Sequence, residues 1–283
     1  MAWIYRAGAR VLELGEGTDG PGLMEFPEVG VEASSEVVSL PRRDSRRFGN
    51  DLIEGQTVSM KIEVRSDERP LDEVWRDVVA AWRGDEVRGT PGLLATLTAD
   101  SGRFTRGRPR PVAPDASHRL FDVIRAELVF ECADDLWYGP AESSRVFFSV
   151  PETGGLRFPA EAPFTFDSGP TIRQGQLEVS GDVATWPVFV IHGPVTNPRV
   201  KITGVGELLF DVVLAYDQSL TVNTRDGWVK RDGVSLPGAL SPRGARLSDM
   251  QLRPGRYEVV LGGYDPTGTG SLDVQVEPAF TSF

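Results

Sequence analysis

Two histidines, His118 and His192, and one cysteine, Cys132, are the whole supply of imidazole and thiol in this chain. A zinc site draws its ligands mostly from these types at short, regular spacings, and the three are scattered with no such pattern. His192 could in principle serve a Ser-His-Asp arrangement, but no G-x-S-x-G elbow is present. Both histidines therefore read as structural, and Cys132, inside the apolar run Ala126 to Cys132, as a buried inert thiol. Asp134 and Asp135 stand beside Trp137 and Tyr138, with Glu131 just upstream, which is what a glycoside hydrolase would use. Such an enzyme needs its carboxyls opposed across a cleft, ~5–10 Å apart, whereas sequence neighbours usually diverge. A tight turn explains the Asp pair at lower cost. Gly204-Val205-Gly206 lacks the context of a phosphate loop. Asp265 to Gly270, DPTGTG, offers oxygens to calcium but is too poor in carboxylates for an EF-hand. No catalytic constellation emerges, and no metal or cofactor is expected.

Two further groups could bind rather than react. Trp228, between the turns Asp226-Gly227 and Asp232-Gly233, and Tyr264 could stack on sugar faces. Core packing accounts for the same aromatics. Arg42, Arg43, Arg46 and Arg47 form the densest basic cluster in the chain. It could grip phosphate, but Asp44 and Asp51 interrupt it and no aromatic is interleaved. A run of this kind is a solvated loop or one side of a subunit contact.

The composition is that of an ordinary globular protein. The net charge of −11 argues against a general nucleic-acid binder, because neutralising phosphates takes clustered Lys and Arg. One cysteine permits no intramolecular disulfide, which suits folding in a reducing cytoplasm. The opening MAWIYRAGAR has no apolar signal core, and no run approaches the ~18 apolar residues of a membrane span. At 283 residues the chain suits two medium domains, and 31 glycines with 21 prolines point to short strands and many turns.

The elements follow from periodicity. Ala2 to Arg6 and Arg10 to Leu14 read as strands joined at Gly8, and Val29 to Val31 and Glu36 to Leu40 as short strands. Thr57 to Val64 alternates apolar and polar residues, the pattern of a half-buried strand. In Pro70 to Arg83, Leu71, Val74, Trp75, Val78, Val79 and Trp82 fall on one helical face. Pro70 suits the first helical position and Gly84 a left-handed cap. Leu93 to Thr98 and Arg103 to Arg106 form a hairpin around Gly102, RGRPR at 106–110 is loop-like, and Phe121 to Cys132 is a long apolar strand. Arg145 to Val150 closes a first domain, and the Pro- and Gly-rich stretch 151–170 connects it to a second. The second domain contains only strand signals. Its central strand runs from Trp186 to His192, Gly193-Pro194 breaks it, and Asn197-Pro198 turns the chain into Arg199 to Thr203.

Three of these stretches, in order, resemble the distal tail proteins and related minor tail proteins of siphophages. They are LPRRDSRRFG with its following strand, FECADDLWYG, and WPVFVIHGPVTNPRV with LRPG downstream. The resemblance implies a mainly β chain. Residues 1–150 would form an N-terminal β-sandwich or split-barrel belt domain with one helix at 70–83, and residues 151–283 a galectin-like β-sandwich. It further implies a non-enzymatic virion protein at the tail tip, a ring, usually a hexamer, at the distal end of the tail tube. Its partners would be the tube, the tape measure protein, the tail hub and the adhesion proteins, with DNA passing through the lumen unrecognised. In that setting Arg42, Arg43, Arg46 and Arg47 would meet acidic neighbours across a subunit contact. The alternatives from other classes are a carbohydrate-binding protein at the host surface, through Trp228 and Tyr264, and a glycoside hydrolase using Asp134 or Glu131.

Overall fold

The structure, a computed structural model, describes residues 2–15, 20–39, 46–65, 69–115, 117–148 and 175–283. It divides into two compact units, one of residues 1–139 with 280–283 and one of residues 140–279. The chain is mainly β, with one substantial helix.

Ala2–Ala7 (β1) and Arg10–Gly15 (β2) pair as a hairpin that turns at Gly8, where φ is 57°. Pro21–Leu23 (β3) and Glu28–Ser39 (β4) lead into the 20-residue strand Arg46–Arg65 (β5). Val58, Met60, Ile62 and Val64 of β5 are fully buried, as the alternation requires. Helix Leu71–Trp82 (α1) buries Val74, Val78 and Trp82, at i, i+4 and i+8, against β1, β2, β5 and Val123–Cys132 (β9). Burying each such side chain contributes about 1.5–3 kcal/mol. Trp75 is only half-buried, so one tryptophan and not two seats the helix. Tyr5 Oη donates to the Trp82 carbonyl at 3.2 Å, and the Trp82 ring nitrogen donates to the Arg110 carbonyl at 2.9 Å. Gly84 adopts the left-handed conformation that ends α1 and opens the single turn Asp85–Gly89 (α2).

Ala95–Thr98 (β6) and Phe104–Pro109 (β7) form the expected hairpin, turning at Gly102. The stretch read as a basic loop is therefore largely strand, with Pro109 paired to Phe130. Gly107 allows this, since a Cβ there would lie 1.9 Å from the Glu131 carbonyl oxygen. Pro114–Asp115 (β8) borders β9, and Trp137–Tyr138 (β10) follows it, both residues buried. The sheet runs β2-β1-β6-β7-β9-β5-β3, and its ends approach one another, giving a nearly closed barrel.

The second unit is a two-sheet sandwich. Glu142–Phe147 (β11), Gly175–Val179 (β12), Val188–His192 (β13), Val195–Ile202 (β14), Gly206–Leu209 (β15) and Val213–Leu214 (β16) come first. Ser219–Asn223 (β17), Trp228–Arg231 (β18), Val234–Ser235 (β19), Gly255–Tyr264 (β20) and Ser271–Val276 (β21) complete it. One sheet is ordered β11-β21-β13-β17-β18-β19 and the other β12-β20-β14-β15. Phe189, Ile191, Leu220, Val222, Leu272 and Val274 of the first meet Val200, Ile202, Leu208, Val259 and Leu261 of the second in one core. The outer face of β13 is half-buried, while Phe189 and Ile191 on its inner face are fully buried. The Asn197-Pro198 turn proves to be a bulge within β14: Asn197 has φ 48°, and the register with β20 slips between Thr196 and Arg199.

The division of the chain differs from the sequence boundary in two places. β11 pairs with β21 along its whole length and so belongs to the sandwich instead of closing the first domain. Conversely, the strand Ala279–Phe280 (β22) pairs with β10, and Phe283 packs its ring 5.1 Å from Trp3 and 5.0 Å from Trp137, returning the last residues to the first unit.

Candidate functional site

The groups singled out in the sequence as possible catalysts, Asp134, Glu131, His118 and His192, each have a local partner. Asp134 accepts from the Leu136 amide at 3.2 Å and from Tyr138 Oη at 2.8 Å, the turn chemistry expected of it. Glu131 is ion-paired with Arg110. Burial pushes the Cys132 thiol up to about 11, against the smaller opposite pull of Thr105 and Gln56, so it stays protonated at neutral pH. His192 Nε2 lies 3.1 Å from Asp273, whose carboxylate also takes two bonds from Arg145 at 2.5 and 2.6 Å. The Arg145 bonds, outweighing burial and helped by His192, hold Asp273 below the usual carboxylate range. His118 bonds Ser117 at 2.8 Å on the surface.

Asp265, buried in the turn read as a calcium candidate, accepts from the Thr267 amide and hydroxyl and from the Gly270 amide, at 2.6–2.8 Å. Burial raises its pKa, but these donors outweigh it and the net shift is downward. The carboxylate is thus satisfied by its own loop. Among the described residues no group of three or more His, Cys, Asp or Glu is placed to hold a metal, and no helix is long and apolar enough to cross a membrane.

What stands out instead is an arm. β9 pairs with β5 only from Thr57 to Arg65, whereas β4 follows β5 as far as Arg46. Beyond Gln56 the two strands form a ribbon flanked by no other described strand. Gly55, at φ 131°, marks the departure: a Cβ there would sit 2.9 Å from the Cys132 carbonyl oxygen, at the end of β9. Register slips at Glu32/Ala33 and Ser35/Val37 each place an extra residue on β5 and bend the ribbon. Seven residues, Ala33 to Ser39, at a rise of ~3.3 Å give it a reach of about 20 Å. The sequence pattern suggested short strands here and missed the arm, although Glu28–Ser39 contains neither Pro nor a hairpin turn to stop a long strand. Val31 and Ile53, near its base, are both more than half exposed.

Of the sequence-predicted interface residues, Arg46 and Arg47 begin β5 at the far end of the ribbon, opposite Ser39 and Val38. Arg42 and Arg43 lie outside the described residues. Trp228 and Tyr264 are not brought together by a common sheet: one is on β18 in the six-stranded sheet and the other ends β20 in the five-stranded sheet. Lys230 Nζ sits 4.1 Å from the Trp228 ring centroid, and the indole nitrogen donates to Asp226 at 3.3 Å, so one face of that ring is already covered. Tyr264 is 68% exposed. The sequence also missed a tip at 119–121, where Arg119 grips Asp72 at 2.7 and 2.8 Å while Leu120 and Phe121 are exposed. Phe121 therefore precedes β9 instead of starting it.

No family model and no curated protein sequence matches the chain. Solved structures do. The crystal structure of the Dit protein of phage SPP1, described as a paradigm of hub adsorption apparatus in Gram-positive infecting phages, matches with a TM-score of 0.61 at 13% identity, covering 99% of this chain and 100% of that one. The chain has the Dit fold. A chain of the phage P2 baseplate in its activated conformation with Ca matches at a TM-score of 0.56 and 12% identity, over 98% of each chain. The same baseplate with Sr gives 0.53 and 11%, over 98% and 97%. Both units of this chain take part in the Dit fold, since coverage is almost complete from end to end.

Proposed function

We propose that this chain is a structural virion protein of a long non-contractile phage tail, forming a ring, a hexamer, at the distal end of the tail tube. It joins the tube and the tape measure protein to the tail hub and the host-adhesion proteins. The observation that carries this reading is the end-to-end likeness to SPP1 Dit, across both units. In this assignment the N-terminal unit is the ring-forming belt and the second a galectin-like decoration. The physical support is the ribbon of β4 and β5. An isolated two-stranded ribbon is marginal in water, and its unpaired edges are templates for another chain. A head-to-tail contact through such an edge either closes into a ring or runs on as a filament. Arg46 and Arg47 at its far end, with Arg42 and Arg43 beside them in sequence, would face acidic neighbours. The net charge of −11 suits a lumen through which DNA passes without adhering.

Light scattering across concentration and salt, with negative-stain imaging, tests this. The expected result is a closed particle of about six times the 30.9 kDa chain, with a central hole. A monomer at every concentration that also fails to join purified tail tubes would overturn it. A second reading makes the chain a carbohydrate-binding minor tail protein at the host surface. The open cavity beside Tyr264 favours it.

A further inference from the structure

The bulge in β14 and its response in β20 create a cavity of about 320 Å³ on the five-stranded sheet, lined among others by Asn197, Arg199, Asp211, Arg243 and Tyr264. Its formation can be traced residue by residue. Asn197 in the left-handed region adds one residue to β14, so that Tyr264 pairs with Thr196 while Arg199 pairs with Gly262. Gly263, at φ 132°, is forced by the close approach of the Thr196 and Asn197 carbonyl oxygens, about 3.0 Å from where its Cβ would be. Gly262 leaves room for Arg199, because a Cβ there would meet the Arg199 Nε at 2.5 Å. Buried Pro198 and Phe210 complete the lining.

The polar groups around this cavity are uncommitted. The side chains of Asn197, Arg199, Asp211 and Arg243 are exposed and make no hydrogen bond or ion pair with any described residue, and the Tyr264 ring is 68% exposed. Here the cavity combines an aromatic face, two guanidinium donors, one carboxylate acceptor and an amide that does both. A pyranose presents the complement, an apolar C–H face and a ring of hydroxyls that each donate and accept. A phosphate, a carboxylate or an acidic peptide would need donors alone, and Asp211 opposes it. The volume is at the small end of the range for small-molecule sites.

We infer that this cavity is a binding site for a neutral saccharide, with the sugar ring against Tyr264, hydroxyls accepting from Arg199 and Arg243, and hydroxyls donating to Asp211. The inference rests on the carbohydrate-binding reading and does not need the ring. The experiment uses the full chain on an array of neutral mono- and oligosaccharides, intact bacterial cell-wall polysaccharide and anionic sugars, followed by saturation-transfer NMR on any hit. Expected is binding of a neutral sugar that falls at least tenfold in Tyr264→Ala and in Asp211→Asn, and stays within twofold in Trp228→Ala. Circular dichroism of each variant confirms that the fold is retained. An array without signal, binding of anionic sugars only, or binding that Tyr264→Ala leaves intact would overturn it. The oligomeric mass recorded on the same samples separates the two failures, since loss of the ring leaves this site complete.

Discussion

The two units are both antiparallel β structures, yet they treat their edges in opposite ways. The sandwich ends its sheets on comparatively short strands: β19 and β16 have two residues each, β15 four, β12 five and β11 six. Short edges offer little to a passing strand. The first unit instead extends its longest strand past its own sheet and leaves 12-residue β4 on the outside. Among the described strands, then, one half ends on short edges and the other leaves a long one without a neighbour, which is the edge that the proposed ring would use. The same contrast separates a unit with a long exposed backbone edge from one with a side-chain cavity.

The largest test of the contrast removes the arm. Replacing residues 33–54 by Asn-Gly joins Glu32 to Gly55, which are already paired, through a two-residue hairpin turn. The expected outcome is complete loss of the closed oligomer with circular dichroism almost unchanged. A ring that survives this deletion would mean that the assembly contact lies elsewhere in the molecule.

Core truncations should come next and should act on one unit each. Trp82→Ala removes the side chain that anchors α1, and Phe189→Ala removes a fully buried ring of the sandwich. Each is expected to cost about 3–5 kcal/mol. Two calorimetric transitions, of which only one moves in each variant, would sharpen the picture of two units. A single transition displaced equally by both would break it.

Asp265→Ala should destabilise the sandwich by about 1–3 kcal/mol, because it leaves the buried Gly270 amide without its acceptor. The sandwich should also be acid-sensitive through this group and Asp273. Both carboxylates titrate below the ordinary aspartate value of 3.8 when folded and near it when unfolded. Their stabilisation is therefore present above about pH 4 and is lost as the pH falls through the depressed folded values. In Asp273→Asn the part of that acid dependence due to Asp273 disappears, which urea melts between pH 3 and pH 6 would read. The smallest effect belongs to Arg256 and Glu178, paired at 3.4 Å with both side chains mostly in water. Arg256→Ala should leave the melting temperature unchanged within error.

How much of this was legible beforehand depends on the range of the interaction responsible. The 70–83 helix and its Gly84 stop were readable because spacing on one face and a left-handed cap are local. The hairpins at Gly8 and Gly102 were readable for the same reason. The Asp134 turn was recognised as structural, and Trp137 and Tyr138 are indeed core. The arm was not foreseen, because whether an alternating stretch is one long strand or two short ones depends on its partner. Of the cavity beside Tyr264 only the aromatic is legible in the sequence, because Arg199, Asp211 and Arg243 come from separate parts of the chain and meet at a bulge.

By itself, then, the sequence determined the period of most elements, the positions of many turns, the scarcity of histidine and cysteine, and a net negative charge. Those properties depend on neighbours a few residues apart. Tertiary structure decided the rest: that Phe283 packs beside Trp3, that β11 joins β21 across more than a hundred residues, and that β5 outruns its sheet. Strand pairing is specified by shape and burial between distant segments, and a single residue's bulge, marked in the sequence only as a turn, can redirect a strand and open a cavity.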